Sequence, residues 1–406
     1  MTRITNAMLT NNYLSDMQTN LSNMSTLQNQ LSSGKNINKG SDDPLAANKI
    51  MNLNYELSAN TQYSTNINDA NNWLNTTDTA LGEAGNALSR IRQLMVQAGN
   101  GSYGTDELSS IKDEVTSTVQ ELGETLNTSF DGNYIFGGTK STSKPVTVDD
   151  NGKMSYADAD GNAINENSDG STTVTLASNN IIENGTSTLG INSITKDSTG
   201  STITIGYTDG TTASTTATNL STTLTSAGFS TSDATNVNSL LTQAGTTVTQ
   251  IGSGLKTEIS QGIIVNYNQT AAGLLQFNDG STSVNTMNVL QNILSDLGTL
   301  SSSSSTDTDK NTAVSDLNGT SLNQLDSVIN NFLQGRSEVG TMENRMTSVS
   351  TTNSDQNNNM TSILSNAQDV DVTEKTVEYS SAQAVYTAAL QVSSQVLTKT
   401  LMDYLT

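Results

Sequence analysis

The side chains that most often carry out chemistry are missing from this sequence. There is no His and no Cys among 406 residues. That removes imidazole general bases, thiol nucleophiles, thiolate metal sites and disulfides. A Ser-His-Asp triad and an HExxH zinc site cannot be assembled. What remains is carboxylate chemistry, with 39 Asp and Glu against 17 Lys and Arg and a formal net charge of −22. No two acids are spaced so as to single out a general acid and its base. One constellation is more ordered: Asp158, Asp160 and Asn162 alternate as in a calcium loop, with Asp169 further on. Ala163 stands where such a loop needs Gly, and the closing ligand is Asp rather than Glu. A β-hairpin with an Asp-Gly turn is the better reading, and no metal or cofactor is assigned. Trp73, the one Trp, reads as helix packing rather than as a ligand platform. Arg90 and Arg92 read as a solvated helix face or as ion-pair partners between subunits.

The same composition bounds the partners and the architecture. A chain this acidic has no electrostatic reason to bind nucleic acid or an anionic membrane. No stretch approaches the roughly 18 apolar residues of a membrane span. Met1-Thr-Arg-Ile-Thr-Asn6 lacks the apolar core of a cleaved signal peptide, so export without cleavage or a cytosolic location is expected. Apolar residues make up 33% of the chain and aromatics 4%, which argues for several thin modules rather than one large core.

The elements that would position any site lie at the two ends. Leu14, Met17, Leu21, Met24 and Leu31 fall in steps of three and four, broken at Gln28, and predict a helix over about 11–32 that stops at Gly34. Ala382, Val385, Ala389, Val392 and Val396 repeat the pattern near the other end. A second row runs through Tyr386, Leu390, Leu397, Leu401 and Tyr404. Such alternation belongs to helices that pack along shared seams. Asp43-Pro44 predicts a capped helix start with Ala46, Ile50, Leu53 and Leu57 on one face, followed by a loop-like polar stretch. The spacing from Ile67 to Ala98 predicts a long helix, ended by Gly99-Asn100-Gly101. Another is expected from Thr105, an N-cap candidate, with Leu108, Ile111, Val115, Val119, Leu122 and Leu126 on its face; the short link makes the two antiparallel.

After Phe130 the character changes. Thr, Ser, Asn and Gly dominate to about Gly280, with turn pairs at Asn151-Gly152, Asp160-Gly161, Asp169-Gly170, Asp209-Gly210 and Asp279-Gly280. Alternating runs such as Ile203-Thr-Ile205-Gly-Tyr207 predict hairpins, and Ile263-Ile264-Val265 looks like a buried strand. One weak helix is expected near Val237–Ile251. Helical spacing returns from Val284, is interrupted by the Ser301–Ser305 tract, and continues to the end. The layout is therefore mainly α with a β insertion between two halves of one helical bundle.

Five strings carry a resemblance. Leu31-Ser-Ser-Gly34-Lys-Asn-Ile-Asn-Lys-Gly-Ser41-Asp42-Asp43-Pro44 resembles the N-terminal signature of the bacterial flagellin superfamily. Phe130-Asp-Gly-Asn-Tyr134-Ile-Phe136-Gly-Gly-Thr139, followed by Pro145, is similar to that family's junction-protein branch. Arg336-Ser-Glu338-Val-Gly340, Asp369-Val-Asp371 and Leu401-Met-Asp403-Tyr404-Leu405 resemble elements of its C-terminal helices. The likeness covers roughly 1–146 and 284–406.

The resemblance implies a discontinuous, elongated flagellin-like stack. The abrupt change of periodicity at its boundaries divides that stack into expected parts: residues 1–33 with 366–406 as inner terminal helices, 34–139 with 284–365 as a helical bundle, and 140–283 as an outward β-rich variable domain. The same resemblance implies a secreted structural subunit, not an enzyme, placed as an adaptor at the hook–filament junction of the extracellular flagellum. Its partners are then flagellin, the other junction protein, copies of itself in a ring, and an export chaperone on the C-terminal helix. The assembly interface falls on Leu14, Met17, Leu21, Met24, Leu31, Val385, Val392, Val396, Leu397 and Leu401. Two alternatives are a flagellin filament subunit and a surface adhesin with a glycan-binding β domain; the second has only scattered Tyr156, Tyr207 and Tyr267 in its favour.

Overall fold

A computed structural model describes residues 6–100, 103–166, 171–178, 180–183, 189–280 and 282–396. Ten α-helices, a π-helical turn and fourteen strands are seen among them. Two compact units divide the chain: residues up to Thr65 with those from Ser350 onward, and Asn66–Val349. The boundaries fall inside α2 (Pro44–Ala98) and α9 (Leu322–Gln368); the polar stretch after Leu57, expected as a loop, is part of the unbroken α2, with its polar side chains mostly on the exposed side. Neither helix meets a Gly or Pro near 65 or 350 that would end it there.

The central unit has one continuous apolar core. The face of α2 from Ile67 through Leu74, Leu81, Leu88 and Ile91 to Ala98 is buried. Alpha3 (Thr105–Leu126) buries Leu108, Ile111, Val115, Val119, Leu122 and Leu126, the face its spacing predicts. Its N-cap is Gly104, not Thr105, and no side chain caps it. Arg90 on α2 reaches Glu114 on α3, as an antiparallel pair requires, and Arg92 forks onto Asp326 of α9. Both arginines are thus ion-paired within the chain. Arg336 makes a two-pronged contact with Asp78 at 2.8 and 3.0 Å, which holds that carboxyl below the usual range.

The middle of the chain forms an antiparallel meander. Strands β3 (Val146–Val148), β4 (Met154–Ala157), β5 (Ala163–Glu166), β6 (Thr172–Thr175), β8 (Gly190–Lys196), β9 (Thr202–Tyr207) and β10 (Thr212–Thr216) lie in that order, and β7 (Ile182–Glu183) also pairs with β8. One cross-strand row runs Val146, Tyr156, Ile164, Val174, Ile194, Ile205, Ala213. All but Ala213 are buried, so this row holds the sheet's apolar face inward, with one register shift in the β8–β9 pair between Ile191 and Ser193. Helix α5 (Thr231–Ile251) packs against β6 and β8, while α3 and α7 (Thr286–Ser301) pack against β4. The β region is therefore the second layer of the helical core, joined to it through residues such as Val146, Met154 and Tyr156. Four of the five turn pairs have Gly at positive φ, at Gly152, Gly161, Gly210 and Gly280; Asp169-Gly170 lies outside the described residues.

At Asp158-Ala-Asp160-Gly161-Asn162 the expected hairpin turn is present, and two other local expectations change. Asp158 accepts from the Asp160 and Asn162 N–H groups and the Asn162 side chain at 2.7–2.9 Å, so its lone pairs organise the β4–β5 turn. Ile263 and Ile264 are 45% and 63% exposed and only Val265 is buried. They belong to a two-stranded hairpin, β11 (Lys256–Ser260) with β12 (Ile263–Asn266), which covers one face only. The weak helix expected from Val237 begins earlier, at Thr231. Ser230 and Asp233 form a capping box there that the sequence spacing already contains.

Candidate assembly surface

The surface is built on α1 (Asn6–Ser33) and α10 (Val372–Val396). Gly34, at φ +71°, ends α1, because a left-handed residue stops the helix and Gly takes that conformation without strain. Asp42 Oδ2 then accepts the N–H groups of Asn38 and Lys39, closing the loop. Asp43 Oδ1 accepts those of Leu45 and Ala46, capping α2 at Pro44. Asp371 does the same for α10 through Thr373 and Glu374. The two polar strings singled out in the sequence thus set where the terminal helices begin and end.

The helices run antiparallel. Tyr13 donates its hydroxyl to Ala389 O, Asn20 donates to Ala382 O at 3.5 Å, and Val370 N–H donates to Gly34 O at 3.0 Å. The partners move down one chain as they move up the other. Lys35 and Asp369 close the end with an antiparallel bridge. The seam between the helices carries Tyr13, Met17, Asn20, Met24, Leu27 and Leu31 from α1. From α10 come Tyr379, Ala382, Tyr386, Ala389 and Ser393. All are half-buried.

No described side chain of α1 or α10 is fully buried. Leu14, Leu21, Val385 and Val392 each leave more than half of their surface open, as does Val377, with Leu390 close behind. Of the ten residues assigned to assembly, Met17, Met24 and Leu31 therefore lie on the seam within the chain. Leu14, Leu21, Val385 and Val392 form open rows beside it. The side chain of Val396, and Leu397 and Leu401 entirely, lie outside the described residues. Sequence reasoning did not pick out Tyr13 and Asn20 as seam residues. Their signal is the three-four series 10, 13, 17, 20, 24, 27, 31, which is partly polar and so weaker than the Leu14 series beside it.

A second, smaller feature belongs to the same unit. Asn60 Nδ2 donates to Asn353 O and Asn357 Oδ1 at 2.9 and 3.0 Å. Asn353 Nδ2 donates to Asn60 O and Ser64 Oγ at 2.9 and 2.8 Å. Both asparagines are buried, so α2 and α9 are joined here by a reciprocal amide pair.

Comparison with known families fits this arrangement. Residues 4–141 match the bacterial flagellin N-terminal helical region, and 322–405 match the bacterial flagellin C-terminal helical region. The chain belongs to the bacterial flagellin superfamily. Phase 1 flagellin of Salmonella naestved and flagellin of Salmonella dublin are each 36% identical to it over 127 residues, 31% of this chain and 25% of theirs. The match thus spans about a quarter of the length of these curated relatives. Flagellar hook associated protein-3 of Legionella pneumophila aligns with 78% of this chain and 98% of its own, at 15% identity and a TM-score of 0.44. For Xanthomonas campestris FlgL the shares are 77% and 99%, the identity 16% and the TM-score 0.42. The two flagellin regions carry the elements that build the surface: α1, the loop to α2, and α9 with α10. No helix among the described residues is long and apolar enough to cross a membrane.

Proposed function

We propose that this flagellin-superfamily chain is a structural subunit of the bacterial flagellum that serves as the adaptor at the hook–filament junction. One observation carries the reading: no described side chain of α1 or α10 is completely buried, and both hold rows of Leu and Val open to solvent. An apolar row of that length on a helix pair is a surface awaiting a neighbour. Copies of the chain meeting head to tail supply that neighbour, and contacts that close give a ring. The other junction protein covers one side and flagellin the other. Before assembly an export chaperone shields the Val377, Val385 and Val392 face of α10, and the chain leaves the cell through the flagellar export apparatus. The Phe130–Thr139 string, more aromatic than is usual in flagellins, supports the junction branch.

A second reading, a flagellin filament subunit, is favoured by the 36% identity to curated flagellins. The two differ in geometry, since subunit contacts that do not close generate an open filament. Immunogold labelling of intact flagella separates them. Label confined to the distal end of the hook is the expected result. Label along the whole filament would overturn the junction reading in favour of flagellin, and label on neither would overturn both.

A further inference from the structure

The central unit contains a cleft of about 290 Å³ whose walls are unlike the rest of the surface. Trp73 lines it from α2, Phe130 from β1 (Ser129–Phe130) and Tyr267 from the residue just after β12. The Phe130 and Tyr267 rings stand at 82° and 81° to the indole, with centroids 6.2 and 5.9 Å away. Three aromatic rings, two of them perpendicular to the third, form the sides of a box. Asp69 and Asp131 also line the cleft and are exposed. Neither carboxylate has a hydrogen-bonding or ion-pair partner among the described residues, and no Lys or Arg lines the space. Trp73 is only 8% exposed, yet its indole N–H has no acceptor among the described residues. Burial, and then the charge of Asp69, hold the Tyr267 hydroxyl above its usual range, which places that carboxylate's field on the ring.

We infer that this cleft binds an alkylated ammonium group, seated against the rings of Trp73, Phe130 and Tyr267 and held by Asp69 and Asp131. The chemistry selects for it. Ring faces attract a cation through their quadrupoles, and methylated nitrogen asks for few hydrogen bonds, so an aromatic box satisfies it where it would not satisfy a hydrated ammonium. Two unpaired carboxylates add charge that the lining leaves unbalanced.

The test uses the full-length chain, in which Trp73 is the sole Trp and so reports on the cleft directly. Tetramethylammonium chloride is titrated while tryptophan emission is followed, with sodium chloride at equal ionic strength as control. A saturable change in the millimolar range, absent with sodium, is the expected result. Asp69→Asn combined with Asp131→Asn is expected to weaken binding by about fivefold or more. Both positions are exposed, so the variant keeps its fold, checked by circular dichroism. Choline and an N-acetylated trimethyl-lysine amide then distinguish a free small molecule from a modified side chain; tighter binding of either supports the site and names the source. A drift that never saturates, or that sodium reproduces, overturns the proposal. So does unchanged affinity in the double variant.

Discussion

At Gly138 the backbone takes φ +59°, and a Cβ there would lie 2.3 Å from Gln250 O and 2.6 Å from Ile251 O. Thr139 N–H donates to the same Gln250 carbonyl at 3.0 Å. The Gly-Gly-Thr end of the Phe130–Thr139 string is thus the cap on the C-terminus of α5, and only a residue without a side chain fits there. Gly138→Ala is expected to cost on the order of 3 kcal/mol, read as a lowered urea midpoint with unchanged slope. A change under about 0.5 kcal/mol would show that the loop relaxes away from α5. Asp296 gives a pH dependence of the opposite kind from a salt-bridged acid. Burial, with the charge of Asp316, pushes its carboxyl up to about 6, and Ser321 Oγ at 3.4 Å opposes this only in part. Between the ordinary Asp value and about 6 the folded chain keeps a proton that the unfolded chain has released. Stability at this site therefore falls as pH rises through that window, and the loss persists above it. Because the group is partly exposed, Asp296→Asn is expected to stabilise by no more than about 1 kcal/mol at pH 8 and by almost nothing at pH 4. Urea titrations at the two pH values check this, and an equal gain at both would rule out ionisation as the cause.

At the scale of elements, the reciprocal Asn60–Asn353 pair sits in the three-four seam where α2 and α9 face each other. Such a pair adds little stability but penalises every other register, because a slipped seam buries amides without partners. Asn353→Ala is expected to cost about 1–3 kcal/mol, because Asn60 O and Ser64 Oγ lose the donor that Asn353 Nδ2 supplies in a buried seam. Replacing both residues with Leu should recover most of that loss while broadening the amide resonances of the seam, since the register is then less defined. If the double variant is as destabilised as the single one, the pair is not coupled as the geometry indicates. The elements themselves were largely legible in the sequence. The run from Ile67 to Ala98 is long and regular enough that no strand could carry it, and the Asp-Gly turns announce their hairpins. Ile263-Ile264-Val265 misled because an apolar run tells nothing of how many layers will cover it. Helix α4 (Leu220–Ser226) escaped notice because its only apolar spacing is Leu220 to Leu224 within Thr and Ser. The division of the terminal rows was not legible either. Met17 and Leu14 lie on adjacent rows of one helix, and only the approach of α10 decides which row closes and which stays open.

At the scale of the whole molecule, the contrast between the two units governs how the chain behaves before assembly. The central unit buries a continuous core of helices and sheet. The terminal helices offer no described side chain that is fully buried, and hold Leu14, Leu21, Val385 and Val392 in water. Ordering a residue costs about 1–2 kcal/mol of backbone entropy, and helical hydrogen bonds alone leave a helix of α1's length marginal. Half-buried seams recover only a fraction of the transfer energy that full burial of each Leu or Met supplies. The balance therefore turns on neighbours covering the open rows, and in the dilute monomer α1 and α10 are expected to open far more readily than the core. Hydrogen exchange on the monomer should show fast exchange across 11–32 and 380–396 and strong protection across 67–98. Leu21→Asp and Val392→Asp are then expected to shift monomer stability by less than about 0.5 kcal/mol, because both sites are already exposed. They should block incorporation into the flagellum, because assembly has to bury a charge without a partner. Core-like protection of the terminal helices in the monomer would mean that they are already closed. Normal incorporation of both variants would mean that the open rows face solvent in the assembled structure too, and the assembly surface would have to be sought elsewhere on the chain.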